Sequence, residues 1–160
     1  MSPQAHSVRT ALAAVVIAVA CQRAPATDPT MVSEWMHTLY GAVRVERLSP
    51  PVASRLMAYA SAALYAGLAT ATPGMPHLER RLTEFPAVAD APRGALDPAL
   101  TAIEAERVVL DSMLREALPT TRAAIARLAD SLAKARAAVV PSAGVRSASE
   151  TTGRQIGASI

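Results

Sequence analysis

Aromatic residues, cysteines and histidines are all scarce in this chain of 160 residues. Aromatics make up only 3% of the sequence, which disfavours a β-sheet because strands favour aromatic and β-branched side chains. With one cysteine, Cys21, no intrachain disulfide can form. The three histidines, His6, His37 and His77, share no ligand spacing, so no metal site is predicted.

Charge is low and evenly spread, with a formal net charge of +3 and Lys134 as the single lysine. Arginines alternate with acidic residues, and no basic stripe with interleaved aromatics occurs, so no nucleic-acid partner is predicted. Hydrophobic residues make up 51%, with alanine prominent. These features predict an all-α fold, a helical bundle of about four to five helices after an N-terminal signal segment.

The apolar run from Ala11 to Ala20 follows Arg9 and is too short for a bilayer span of about 20 residues. A positive residue before such a run and small residues at its end are typical of a secretory signal peptide, here residues 1–20. The end of the run, Ala18-Val19-Ala20-Cys21, resembles a bacterial lipobox. Cys21 is therefore predicted to carry lipid that anchors the exported chain in the bacterial cell envelope.

Gln22, rather than aspartate, follows the cysteine, which favours the outer membrane. Two alternatives are an ordinary signal peptide cleaved after Ala20, and no export at all. Residues 21–30 are predicted to form a polar tether, and residues 31–160 a helical domain. The first helix is expected to begin near Asp28-Pro29 and to run to about Arg47.

Proline marks most of the other predicted helix starts. The second helix follows Ser49 and runs to about Ala69, and the third runs from Asp97-Pro98 to Leu118. The fourth is capped by Thr120 or Thr121 and reaches Val139. The last begins at the capping box Ser147–Glu150. A proline-rich connection over 72–98 contains one short helical turn over 78–85, with Phe85 expected in the core.

Helical spacing on the second helix predicts one buried stripe, made up of Val52, Leu56, Tyr59, Ala63 and Ala66 or Gly67. Ala58, Ala62 and Ala66 recur at every fourth position and favour close approach of another helix. On the third helix Glu104 and Glu106 are expected on different faces, with Glu104 in a surface pair with Arg107. Residues 141–145 are predicted to be a loop. No catalytic, cofactor-binding or metal-binding residue is predicted, and lipidation at Cys21 is the one site.

A set of residues in the first two helices matches a known pattern: Trp35, Pro50-Pro51, Arg55-Leu56, Tyr59 and Leu64-Tyr65. The pattern resembles the N-terminal helical region of vanadium-dependent haloperoxidases, in the superfamily that they share with type 2 phosphatidic acid phosphatases. The later Ala-rich helices and the stretch from Ser149 to Ile160 follow in the family's order. The resemblance covers residues 31–160.

Members of that family hold vanadate or phosphate with a lysine, arginines and a Ser-Gly-His stretch. Here Lys134 has no Arg-Pro after it, residues 141–144 only imitate Pro-Ser-Gly-His, and no histidine follows His77. The resemblance therefore implies the N-terminal, non-catalytic part of a lipid-anchored haloperoxidase-like or phosphatase-like protein. Such a part is expected to be inactive alone, and vanadate is expected only in a full-length family member.

The implied partners are the membrane, through Cys21, and either a catalytic half or a second copy of the chain. Apolar faces on the second and last helices are expected to lack partners within the chain. One alternative is a small helical envelope lipoprotein that acts as a binding or structural module. Another is a degenerate homologue that keeps a scaffold role.

Overall fold

The computed structural model describes residues 29–87 and 95–160, which form five α-helices and one short 3-10 helix. The helices are α1 (Thr30–Val45), α2 (Pro50–Ala71), α3 (Pro98–Met113), α4 (Pro119–Val139) and α5 (Ala143–Ser159), and the 3-10 helix covers Leu78–Arg80. No strand occurs within these described ranges, so the all-α prediction is confirmed. None of the helices found there is long and apolar enough to cross a membrane. The predicted signal peptide and Cys21 lie outside the described residues.

Helix α3 lies at the centre of the bundle and packs against α2, α4 and α5. Every residue from Ala99 to Glu106 is buried, which is expected of a helix surrounded by neighbours rather than facing solvent on one side. Helix α1 packs against α4 and contributes Trp35 and Leu39, both fully buried, to the main hydrophobic cluster. The core is therefore built around α3, the third helix in chain order.

Glycines allow α2 and α5 to lie close to α3. A Cβ added at Gly67 of α2 would fall 2.5 Å from the Cα of Ala102. On α5, a Cβ at Gly153 would lie 2.7 Å from the Glu104 Cβ, and one at Gly157 would lie 2.7 Å from the Val108 Cβ. Because no larger side chain fits at these three positions, the glycines fix the spacing of the central three-helix layer.

Proline and aspartate define the helix starts largely as predicted. Pro50, Pro98 and Pro119 each open a helix, where the missing N–H costs nothing. Asp97 caps α3, since its Oδ1 accepts from the Leu100 amide at 2.9 Å. Ser49 holds the predicted cap position of α2 but makes no side-chain capping bond.

Two boundaries around Pro119 differ from the prediction. Helix α3 ends at Met113 rather than Leu118, and its C-cap Leu114 already leaves the helical conformation, with φ of −106° and ψ of 16°. Leu118 itself precedes a proline and takes an extended ψ of 144°. The predicted cap from Thr120 or Thr121 is also wrong. Glu46, at the end of α1, supplies the acceptor instead: its Oε1 accepts from the Leu118 amide at 3.0 Å and from the Thr121 hydroxyl.

The start of α5 is a further correction. The predicted capping box at Ser147–Glu150 lies within the helix, and the predicted loop over 141–145 ends at Ser142. Ser142 is the cap, with its Oγ accepting from the Val145 amide at 3.3 Å. Ser149, within the helix, turns inward, and its hydroxyl donates to the Val145 carbonyl at 2.7 Å.

Candidate functional site

The apolar stripe predicted along α2 divides between two faces. Leu56, Ala63 and Gly67 are buried against the core, as predicted. Val52 and Tyr59 are exposed instead, with 42% of Tyr59 accessible to solvent. Positions 52, 55, 59 and 62 follow one another at helical spacing, so Val52, Arg55, Tyr59 and Ala62 form a second stripe on α2 that faces outward.

Arg55, Tyr59 and Ala62 of this stripe border a groove with two adjoining parts, which share Tyr59 and Ile160 as lining residues. We call it the Tyr59 groove. Its first part, of about 440 Å³, lies between α2 and the ends of α3 and α5. Arg55 lies on its α2 side, and Val109 and Met113 of α3 line it as well. Its lining is therefore mainly apolar, with one cation on the α2 side.

The second part of the Tyr59 groove, also about 440 Å³, lies between α2 and the segment that follows the 3-10 helix. Leu82, which is exposed, and Phe85, which is half-buried, line it together with Ala58 and Ala62 of α2. Phe85 therefore lies beside the groove rather than in the core as predicted. The predicted helical turn over 78–85 is confirmed only for Leu78–Arg80.

The alanine repeat of α2 serves two neighbours. Ala66 is buried and packs with Ala105 and Ile156 in a second small cluster that joins α2, α3 and α5. Ala62 and Ala58, one and two turns earlier, line the groove instead. The small side chains of Ala58 and Ala62 leave the α2 backbone open to close approach by another helix. The alanine repeat thus runs from Ala66, which already packs against α3 and α5, into the groove.

The residues of the resembling pattern divide between core and groove. Trp35, Leu56 and Leu64 are buried in the main hydrophobic cluster. Arg55 and Tyr59 line the groove. The hydroxyl of Tyr65, by contrast, donates to the Pro76 carbonyl at 2.9 Å and ties α2 to the following connection.

Two half-buried arginines near the core, Arg107 and Arg136, are paired with carboxylates. Arg136 bonds both carboxylate oxygens of Asp97, at 2.8 and 2.6 Å. These hydrogen bonds raise the pKa of Arg136 above its ordinary value. Arg107 lies 2.6 Å from Asp130. In these two pairs, cations that could hold an oxyanion instead join one helix to the next.

Glu104 is buried, in contrast to the surface pair predicted for it. Its carboxylate lies between two arginines, 3.4 Å from Arg107 Nε and 3.2 Å from Arg154 Nη1 of α5. The second arginine was not predicted, because a helical period cannot show which helix will pack against a given face. The prediction that Glu104 and Glu106 lie apart is confirmed, since only Glu104 is in this ion pair.

Glu106 is the residue that the sequence prediction missed. Its side chain is fully buried, and both carboxylate oxygens lack a hydrogen-bond partner among the described residues. Burial raises the pKa of Glu106 from 4.5 to about 9. The signal was present in the sequence, because Ile103, Glu106 and Leu110 have the spacing of one buried helical face.

The other sequence candidates stay apart. His37 is exposed on α1, and His77 lies 3.4 Å from Glu79 in the connection after α2. Lys134 is exposed on α4. Within residues 29–87 and 95–160 no three histidine, cysteine or acidic side chains form a group that could hold a metal ion. Comparison of the sequence with protein-family models, curated proteins and solved structures gives no match.

Proposed function

We propose that this chain is the N-terminal, non-catalytic helical part of an exported haloperoxidase-like or phosphatase-like protein, and that its Tyr59 groove receives helices of the catalytic region. The sequence pattern from Trp35 to Tyr65 supports the family, and the observation that supports docking is the outward stripe of α2. Val52 and Tyr59 are large apolar residues that a free helix face would leave in water. Packing of another helix over them would bury that surface.

The geometry of the groove fits a helical occupant. Ile160 directly follows α5 and lines both parts of the groove, so a region joined after it would reach the groove through a short connection. Ala58 and Ala62 permit close approach of a second helix axis. Arg55 can donate hydrogen bonds to the carbonyl groups at the C-terminus of that helix.

The ion pairs support a structural rather than a reactive role. An oxyanion such as vanadate or phosphate is held by several cations that converge on one point. In this chain Arg107 and Arg136 are bound to Asp130 and Asp97. In our proposal the vanadate or phosphate site belongs wholly to the catalytic region.

Reading the DNA that follows the codon for Ile160 tests the proposal at little cost. We expect it to encode, in some frame, a lysine and arginine motif and a Ser-Gly-His stretch. A stop codon followed by an unrelated gene would overturn the proposal. It would instead support the alternative of a small envelope lipoprotein that binds a partner.

The longer polypeptide then tests the groove itself. Tyr59→Glu places a charge in the docking surface, whereas Tyr40→Glu places the same charge on α1, where Tyr40 is already 63% exposed. With vanadate, bromide and peroxide, or with a phosphate ester, the Tyr59→Glu protein should lose most of its activity. The Tyr40→Glu protein should retain it, and equal losses in the two variants would contradict docking at Tyr59.

We further propose that lipid on Cys21 anchors the chain in the bacterial envelope, on the basis of the signal-like run and the lipobox-like residues before the cysteine. The test is incorporation of radiolabelled palmitate during growth, followed by fractionation of the two membranes. The wild-type chain should be labelled and recovered with the outer membrane, and Cys21→Ser should not be labelled. Labelling of the serine variant, or a soluble wild-type chain, would reject the anchor.

A further inference from the structure

Three ionisable side chains are buried in the described part of the chain: Asp97, Glu104 and Glu106. The first two face arginines, at distances that permit hydrogen bonds. Glu106 differs from both, because neither of its oxygens has a hydrogen-bond partner among the described residues. An ionised carboxylate with neither a cation nor a donor is very costly in an apolar interior.

Burial, and no neighbouring charge, is the cause of the raised pKa of Glu106. On α3 its neighbours one turn away are Ile103 and Leu110, both members of the main hydrophobic cluster. On α1, α2, α4 and α5, none of the residues buried in the fold carries an ionisable group.

The register of α2 against α3 explains how a long acidic side chain fits there. Gly67 meets Ala102, while Tyr59 and Arg55 lie beside Val109 and Met113, so the two helices run antiparallel. That register places Glu106 at the level of Ala63. Alanine occupies positions 60 and 63 on the inner face of α2, and their small side chains leave room for the glutamate.

From this geometry we infer that Glu106 is a proton-binding site coupled to folding: the folded chain holds the Glu106 side chain as a neutral carboxylic acid at neutral pH, and the unfolded chain releases the proton. The raised pKa of Glu106 agrees with this assignment. The proton keeps a negative charge out of the interface between α2 and α3.

The sign of the resulting pH dependence follows from the two pKa values. Below pH 4.5 Glu106 is protonated in both the folded and the unfolded chain, and above about pH 9 it is ionised in both. Between these limits only the folded state holds the proton, so the folded state loses stability as the pH rises. The equilibrium constant for folding should fall about tenfold for each pH unit within that window.

Urea unfolding of the full chain at a series of pH values between 5 and 9 tests the inference. Glu106→Gln keeps the shape and removes the titration, and Glu116→Gln removes an exposed glutamate as the matched control. As the pH rises, the equilibrium constants for folding of the wild type and of Glu116→Gln should fall about tenfold per pH unit relative to that of Glu106→Gln. Parallel pH profiles for all three proteins would overturn the inference.

A spectroscopic measurement covers the case in which Glu106→Gln does not fold. In the wild-type chain labelled with ¹³C at the glutamate carboxyl carbons, one folded-state resonance should keep the chemical shift of a protonated acid at pH 7. It should move to the ionised position only near pH 9. Complete ionisation of every glutamate at pH 7 would show that Glu106 holds no proton, and would reject the site.

Discussion

Arg136 binds Asp97 through two parallel hydrogen bonds, Nε to Oδ1 at 2.8 Å and Nη2 to Oδ2 at 2.6 Å. Asp97 also caps α3, and its own amide donates to the Ser149 Oγ at 2.8 Å. One aspartate thus joins the start of α3 to α4 and α5. A bidentate pair of this kind is among the stronger polar contacts that a protein makes.

Replacing Asp97 should separate its two roles. Asp97→Ser keeps a capping oxygen but loses the ion pair, and Asp97→Ala loses both. We expect Asp97→Ala to lower the free energy of unfolding by about 3 kcal/mol, and Asp97→Ser to cost about 1 kcal/mol less. Urea denaturation measures both. Asp130→Ala is the control, because Asp130 is 70% exposed in its pair with Arg107 and should cost under about 1 kcal/mol.

The close contact of α2 and α3 gives a second prediction. Gly67→Ala would place its Cβ 2.5 Å from the Cα of Ala102, so the two helices must separate. We expect a loss of about 1–3 kcal/mol in the free energy of unfolding, as for other overpacked interiors. Gly41→Ala on α1 meets nothing within 4 Å and should stabilise the protein by up to about 1 kcal/mol. The same sign for both substitutions would show that helix propensity, rather than spacing, governs position 67.

The end of α1 gives a third prediction. The Leu48 amide donates to the Val43 carbonyl at 3.1 Å and the Arg47 amide to the Arg44 carbonyl at 3.4 Å, which together form a Schellman motif. Arg47 takes the left-handed conformation there, with φ of 51°, where glycine is favoured. Arg47→Gly should therefore stabilise the protein by about 1 kcal/mol.

Arg44→Gly is the matched control for that change, because Arg44 lies within the last turn of α1. Glycine inside a helix costs about 1 kcal/mol, so thermal melting should show opposite shifts for the two variants. A destabilised Arg47→Gly protein would indicate that a contact of the arginine side chain stabilises the fold by more free energy than the relief of backbone strain does.

Much of the fold could be predicted from the sequence because proline acts locally. The ring of Pro50, Pro98 or Pro119 blocks a preceding helix and suits the first turn of the next one, so these starts follow from neighbouring residues alone. The start of α5 has no proline, and two serines compete for the cap. Ser142 and Ser147 both suit that position, and Ser142 is the cap. The contact that holds Ser149 inside, where its Oγ accepts from the Asp97 amide, joins residues too far apart in sequence to be visible in a local pattern.

The candidate site was harder to predict, for a related reason. Helical spacing shows which residues share a face but not which neighbour meets that face. Val52 and Tyr59 fit the same period as Leu56 and Gly67, yet only the latter two pack against the core. Glu106 shows the reverse case, in which an ionisable residue occupies a core position because the helices packed around α3 leave its side chain no path to solvent.

Sedimentation velocity of the full chain tests most directly whether the Tyr59 groove is an unfilled docking surface. The wild type and Tyr40→Glu should self-associate as concentration rises, because the apolar stripe of α2 lacks a partner. Tyr59→Glu should associate clearly less, and since all three proteins share the same N-terminal apolar run, the difference reports on the groove. If the wild type stays monomeric, or if Tyr59→Glu associates as strongly as Tyr40→Glu, the groove is not a docking surface.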